Sequence, residues 1–337
     1  NEREIIYNML LSIVIPAYNI RDYIHRNIES FQKVDDKFKD KFELLVINDG
    51  SKDDTVEVLE QLLREENRLN IRIISKENGG HGSAVNRGID EAVGKYLKII
   101  DGDDWINVRD FEEYIRRLEK TSVDMIVTDY SEQHVYKQFV KRISVVDQED
   151  YYSSNTLSSI FPMHGLTYKT EIFKDNNIRL TEKIFYVDTQ YTVFPLKFVK
   201  SWVYWKLDLY QYFLGRPNQS MAIENRLKHI EDHRIVTESI LEFYKELNDG
   251  NLKKVTYEFV LRLINARFIF SFLSKDRNKL LRETVSYIDK YGIDYKFQKN
   301  QRISYLLYIN ERLNRKLSFV VFPIANAKIK KLVEQGI

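Results

Sequence analysis

The chain has 337 residues, 43% of them hydrophobic and 30% charged, with no cysteine and a formal net charge of +2. That composition excludes a disordered polar chain, a disulfide-stapled scaffold and any thiolate nucleophile or zinc–thiolate centre, and the length predicts one large domain with a smaller one appended. No run reaches the roughly 18 to 20 apolar residues that cross a bilayer, and the first residues show no basic-then-apolar pattern. The expectation is a soluble, cytoplasmic chain, or one peripheral at the inner face of the cell membrane.

In chain order, short β-branched apolar runs alternate with amphipathic stretches from 11 to 127, as βαβ units do. Segments 11–16, 42–48, 71–75, 96–101 and 124–128 predict strands, and 21–32, 53–67, 83–93 and 108–120 predict helices. Ile13-Val14-Ile15 is apolar without alternation, as in a strand covered on both faces. The prediction is therefore an α/β fold with a mostly parallel, Rossmann-like sheet flanked by helices. Aromatic and β-branched runs at 135–146 and 202–212 predict further, antiparallel strands completing that domain. A turn at Gly215-Arg216-Pro217-Asn218 follows, and from about Glu224 helical periodicity dominates, over 225–247, 253–273 and 279–291. Residues 251–337 carry 18 Lys and Arg against 7 Asp and Glu, net +11, while the first 250 residues net −9. Such an asymmetry suits an anionic partner, such as a phospholipid surface or a lipid-linked pyrophosphate; a solvated basic helical surface is the plainer reading.

In parallel α/β sheets, ligands bind beyond the carboxyl ends of the strands. Four predicted strands here run into polar or turn-forming residues: Pro16-Ala17-Tyr18-Asn19, Asn48-Asp49-Gly50-Ser51, Asn78-Gly79-Gly80 and Asp101-Gly102-Asp103-Asp104. Asp101 and Asp103 are two apart, so on extended backbone they face the same way. A hard cation such as Mn2+ or Mg2+ needs only one or two such carboxylates when waters and substrate phosphates complete its shell, so the tetrad is suited to a nucleotide diphosphate. Its plainer reading is a solvated acidic turn before the next helix. Ser51, Asp53 and Asp54 are accounted for by helix capping. Asp49 precedes that turn and could accept from the imide N–H of uracil, with Tyr18 as an aromatic face. The glycines of 78–83 allow close backbone approach but match neither the dinucleotide nor the P-loop pattern, which argues against nicotinamide and ATP. His81 reads first as a loop residue and second as a donor-site candidate.

In this order, these residues resemble the family 2 glycosyltransferases, whose nucleotide-binding domain has the GT-A fold. The pieces are Ser12 to Asn19, Val46 to Thr55, Asn78-Gly79-Gly80 through Asn86-Arg87-Gly88, and Asp101-Gly102-Asp103-Asp104; together they cover about residues 11–120. The resemblance implies an inverting, metal-dependent transferase of bacterial cell-surface polysaccharide or glycoprotein synthesis, using a UDP-sugar. It implies a GT-A domain of residues 1–220, with 11–127 as nucleotide-binding half and 128–220 as acceptor-side half, followed by a basic helical domain of 221–337. By position, Asp49 looks like the uracil reader; Pro16, Ala17, Tyr18 and Asn19 look like the base pocket; Asn78, Gly79, Gly80 and Gly102 look like donor contacts. Asp101 is similar to the residue near the ribose, and Asp103, with Asp104 competing, to the metal ligand.

Residues 178–193 resemble the segment that supplies the catalytic base, usually as Glu-Asp. Here the pair is Val187-Asp188, leaving Asp188 as the base, with a helix-capping aspartate as the alternative. Residues 210–220 resemble a stretch that folds over the donor diphosphate, where Arg216 would neutralise phosphate charge. The Gln-x-x-Arg-Trp pattern of processive synthases is absent, which favours addition of single sugars. Expected partners are a nucleotide-sugar donor, a glycan or lipid-linked acceptor, and a membrane face met by residues 319–322 and 328–331. A homo-oligomer is the competing use of that aromatic surface, and no nucleic acid is expected. The rival readings are a catalytically silent nucleotide-sugar or glycan-binding module and a sugar nucleotidyltransferase.

Overall fold

The structure, a computed structural model, describes residues 9–65, 68–146, 150–153, 156–215, 222–248, 250–297 and 301–334. It divides into two compact units, residues 1–216 with 249–252 and residues 217–248 with 253–337.

The first unit runs β1 (Leu11–Ala17), α1 (Ile24–Gln32), α2 (Asp36–Lys39), β2 (Phe42–Asn48), α3 (Thr55–Glu65), β3 (Ile71–Ser75), α4 (Gly80–Glu91) and β4 (Tyr96–Ile99). It continues with β5 (Trp105–Ile106), α5 (Val108–Leu118), β6 (Met125–His134), β7 (Phe139–Ile143), β8 (Asp150–Ser153), β9 (Leu166–Lys169), α6 (Thr170–Asp175), α7 (Asp188–Val193) and β10 (Ser201–Phe213). The strands form one sheet in the order β3-β2-β1-β4-β9-β6-β10-β5, with β7 on β6 and β8 on β10. Parallel pairing joins β3, β2, β1 and β4, while β9 runs antiparallel to both β4 and β6. Strand β6 therefore points the same way as β4, and the carboxyl ends of β1, β2, β3, β4, β6 and β10 lie on one side of the sheet.

Two expectations for the second half are corrected. The strand over 202–212 is antiparallel to β5 and β8, as expected, but parallel to β6, because the chain crosses back through α7 before entering it. The run over 135–146 begins as a 3-10 turn at Val135–Lys137; Gln138, at φ 53°, then reverses the chain into β7.

Burial explains the central strands. Every residue of β2 is buried, and so is all of β1 except the half-buried Pro16. Phe31, Phe42 and Phe111 pack at centroid distances of 5.1 to 5.9 Å beneath them, and burying each phenyl ring stabilises by about 1.5–3 kcal/mol. Helix α5 presents Phe111, Tyr114, Ile115 and Leu118 to this core at three- and four-residue spacing, and Asn107 caps it by accepting from Asp110 N at 3.2 Å.

The second unit is helical among the described residues: α8 (Ile223–Lys228), α9 (Ile230–Glu246), α10 (Asn251–Leu273), α11 (Arg277–Lys290), α12 (Arg302–Arg312) and α13 (Ser318–Glu334). Ile240, Val260, Ile264, Phe268, Leu281, Leu307 and Ile329 are among its buried side chains. Among the described residues, no helix is long and apolar enough to cross a membrane.

Candidate active site

The ends of β1 and β2 are tied together. Asp49 N donates to Ala17 O at 2.9 Å, and Asn19 Oδ1 accepts from Lys52 N at 2.8 Å while Asn19 N donates to Ser51 Oγ at 3.1 Å. Asn19 has φ 51°, a left-handed conformation that asparagine tolerates better than most residues. Asp53 Oδ1 accepts from Thr55 N at 3.1 Å at the start of α3, so the capping reading holds for Asp53, whereas Ser51 accepts from Asn19 N and Asp54 from Arg21 Nη1 at 3.1 Å. Ala17 is buried and Tyr18 is 45% exposed, leaving the tyrosine ring as the open aromatic surface at this strand end.

Asp49 itself is buried. Its Oδ1 accepts from Lys76 Nζ at 2.8 Å and Gly79 N at 2.9 Å, its Oδ2 accepts from Gly80 N at 2.7 Å, and its carbonyl accepts from Asn78 Nδ2 at 2.8 Å. A carboxylate offers about four acceptor positions, so one remains on Oδ2. Asp49 thus builds the 78–80 loop, in which Gly80 has φ 80°, a conformation suited to glycine.

That loop aims His81 at the tetrad. His81 Nε2 lies 2.9 Å from Asp101 Oδ1, with both side chains about one-third exposed. Burial opposes charge on the imidazole, but the hydrogen bond and charge of Asp101, then Asp188 and Asp103, outweigh it and raise its pKa above the ordinary histidine value.

The tetrad divides its labour by depth. Tyr210 donates its hydroxyl to Asp104 Oδ2 and accepts from Asp101 N at 3.2 Å, and Asp104 Oδ1 accepts from Phe213 N at 2.7 Å. Asp104 is fully buried. Burial first, then the charges of Asp103 and Asp101, pushes its carboxyl well above the usual range, against the two hydrogen bonds. Asp104, the competing metal ligand in the sequence reading, is therefore a strut tying the tetrad to β10. Gly102, expected at the donor, is also accounted for by packing: a Cβ there would lie 2.3 Å from Ile20 Cδ1 and 3.0 Å from Pro16 O. Asp103 is half-buried and, with Asp101, supplies the accessible oxygen donors. Among the described residues, no three His, Asp or Glu side chains converge as a metal cage. The donor set fits the sparse protein share of an Mg2+ or Mn2+ site that substrate phosphates complete.

Asp188 reaches the same region from the start of α7. Its side chain is exposed to solvent; the surrounding protein raises its pKa, and the charge of His81 pulls it partly back. The segment leading to it is clamped to α4. Asn86 exchanges two 2.9 Å hydrogen bonds with the backbone of Leu180, Gln190 Oε1 accepts from Thr181 N at 2.8 Å, and Lys183 N donates to Gly79 O at 2.7 Å. Gly82 permits this crossing, since a Cβ there would lie 2.2 Å from Thr181 O. Lys183 and Tyr186 hold φ of 62° and 67°, strain of about 1–3 kcal/mol each that persists only where surroundings impose it.

The structure thus joins His81 to Asp101, with Asp103 and Asp188 within electrostatic reach of its ring, and Asp49, Asn78, Gly79 and Gly80 form the loop that carries it. Arg216 lies outside the described residues. Sequence reasoning ranked His81 low and missed Tyr210, whose contact with Asp104 spans 106 residues. The cluster of glycines around His81 was the available signal for a crowded backbone there.

Comparisons with known proteins bear on the family and the fold. Residues 12–174 match the model of glycosyl transferase family 2. The uncharacterized glycosyltransferase EpsJ of Bacillus subtilis (strain 168) is 32% identical over 117 residues, 35% of this chain and 33% of that protein. The first curated relatives are thus matched over about a third of their length. Staphylococcus aureus TarS 1-349, solved in complex with UDP-GlcNAc, has a TM-score of 0.65 at 18% identity, covering 91% of this chain and 93% of that one. The mannosyltransferase PcManGT from Pyrobaculum calidifontis, in complex with GDP-Man and Mn2+, has a TM-score of 0.55 at 12% identity over 94% and 85%. The fold is GT-A.

Proposed function

We propose, from the premise that residues 12–174 are a glycosyl transferase family 2 domain, that the chain transfers a single sugar from a UDP-sugar to a hydroxyl of a glycan or lipid-linked acceptor with inversion at the anomeric carbon. The observation that carries this reading is the 2.9 Å contact of His81 with Asp101 at the carboxyl side of a GT-A sheet, with Asp103 and Asp188 within electrostatic reach. Asp188 removes the acceptor proton as the acceptor oxygen bonds to the anomeric carbon, and the bond from that carbon to the diphosphate breaks, its electron pair leaving with UDP. A single in-line displacement inverts the carbon. Asp101 faces the ribose, the remaining position on Asp49 Oδ2 takes the base N–H, and Tyr18 offers its ring. Asp103 would hold Mn2+ or Mg2+, which supplies positive charge to the departing diphosphate.

The test is UDP release from a panel of nucleotide sugars, with and without Mn2+, and the anomeric configuration of the product by NMR. Transfer with inversion from a UDP-sugar is expected. Binding without turnover across the panel would leave a silent nucleotide-sugar module, and pyrophosphate release from a nucleoside triphosphate would identify a nucleotidyltransferase.

In the helical unit, exposed Phe319, Val320 and Ile324 precede exposed Lys328, Lys330 and Lys331 on α13. This pairing supports peripheral contact with an anionic membrane face, where a lipid-linked acceptor would be presented.

A further inference from the structure

The strands beyond β4 carry an aromatic cluster that meets the tetrad through Tyr210. His164, in the 3-10 turn Met163–Gly165, is partly exposed, and three tyrosines surround its ring: Tyr212 at 4.4 Å between centroids, Tyr210 at 4.8 Å and Tyr130 at 5.0 Å. The turn is held from beneath. Lys98, fully buried on β4, donates Nζ to the carbonyls of His164 at 2.8 Å and Leu166 at 3.2 Å, and Gly165 lies so close to Thr128 that a Cβ would stand 2.5 Å from its carbonyl oxygen. Burial lowers the His164 pKa to about 4, so the ring is neutral at physiological pH. Its Nδ1 is buried without a hydrogen-bond partner, so tyrosine rings, not hydrogen bonds, orient it.

Placement relates this cluster to the chemistry. Asp49, the glycine loop and the tetrad follow β2, β3 and β4, whereas Tyr130, Tyr212 and His164 lie on β6, on β10 and in the turn before β9, across Asp101 from the nucleotide-side strands. Tyr212 is half-buried, and the cluster reaches the tetrad through Tyr210, which packs on His164 and accepts from Asp101 N at 3.2 Å; the charges of Asp104, Asp101, Asp103 and Asp188 are felt at the Tyr212 hydroxyl. A pyranose has one face of C–H groups and a rim of hydroxyls, which suits an aromatic face with polar handles.

We propose that Tyr212 and His164 form the subsite for the acceptor's sugar ring, the tyrosine stacking on its C–H face and the imidazole edge bonding one of its hydroxyls. This rests on reading Asp188 as the base of a glycosyltransferase. Saturation-transfer NMR of the full chain, loaded with UDP, tests it with the methyl β-glycosides of glucose, galactose and N-acetylglucosamine. At least one is expected to receive saturation on its ring C–H protons. Tyr212→Leu, which keeps apolar volume without an aromatic face, should lower that signal at least fivefold; Tyr212→Phe should retain it, and UDP affinity should stay within twofold in both. Should the leucine variant fail to fold, His164→Asn carries the same expectation. UDP binding with no pyranoside signal in the native chain, or a signal unchanged in the leucine variant, overturns the subsite. Pyranoside binding without UDP binding would instead overturn the donor reading and leave the subsite standing.

Discussion

His81 Nε2 stands 2.9 Å from Asp101 Oδ1, joining the loop after β3 to the end of β4. The bond couples the glycine-rich loop to the carboxylate assigned to the ribose. A hydrogen bond to a charged group contributes about 1.5–3 kcal/mol. His81→Ala should therefore lower kcat/KM for the donor about 10- to 100-fold, read from initial rates across donor concentrations. An unchanged kcat/KM would reduce His81 to a loop residue.

Asp188→Asn should lower kcat by about 10²- to 10⁴-fold, with UDP affinity nearly unchanged by calorimetry. The base works ionised, and enclosure raises its pKa above the ordinary value of 3.8. The rate should therefore fall with pH on an acid limb lying above that value. Because His81 charge lowers the Asp188 pKa, His81→Ala should shift the limb to higher pH; a shift to lower pH would contradict the assigned coupling.

Gly82→Ala places a methyl 2.2 Å from the carbonyl oxygen of Thr181, a backbone atom that cannot rotate aside. Overpacking of this kind costs about 1–3 kcal/mol. Denaturant unfolding should show that loss, and activity should fall as well, since the displaced segment leads directly to Asp188.

His164 gives stability a definite pH slope. Its pKa is about 4 in the fold against 6.5 ordinarily, so between these values the unfolded chain binds a proton that the folded chain does not. Its contribution to stability is therefore lost as pH falls from about 6.5 toward 4, by up to about 1.4 kcal/mol per pH unit. Urea midpoints at pH 7, 6 and 5 should converge for His164→Asn and the native chain as the medium is acidified.

Vesicle co-sedimentation checks α13. Each lysine near an anionic surface contributes about 1 kcal/mol, so replacing Lys328, Lys330 and Lys331 by Glu should abolish retention on phosphatidylglycerol vesicles, as should high salt. Retention indifferent to anionic lipid would remove the membrane contact.

The parallel strands were legible because they are buried on both faces: β1 and β2 read as uninterrupted apolar runs bounded by turn residues. The polar ends of those strands were legible for the same reason, since topology sends them to one side. Strand β9 was not, because four residues of ordinary composition in an aromatic-rich stretch give no period. Nor was the depth of Asp104, which depends on Tyr210 and Phe213 in a distant strand. The carboxylates of Asp103 and Asp104 are alike in sequence; only tertiary packing distinguishes a half-buried oxygen donor from a strut.

The antiparallel insertion of β9 has a kinetic consequence. Among the described residues of the sheet, β4 meets β6 only through β9, so the nucleotide-side strands are not joined to β6 and β10 until residues 166–169 are available. A nascent chain exposed only as far as residue 160 would hold two unjoined β-layers with open edges. Joining of the two layers awaits a contact between Tyr96 and Lys169, distant in sequence and correspondingly costly to close. Late, cooperative appearance of protected amides in β4 and β6 together during refolding is the signature this topology should leave.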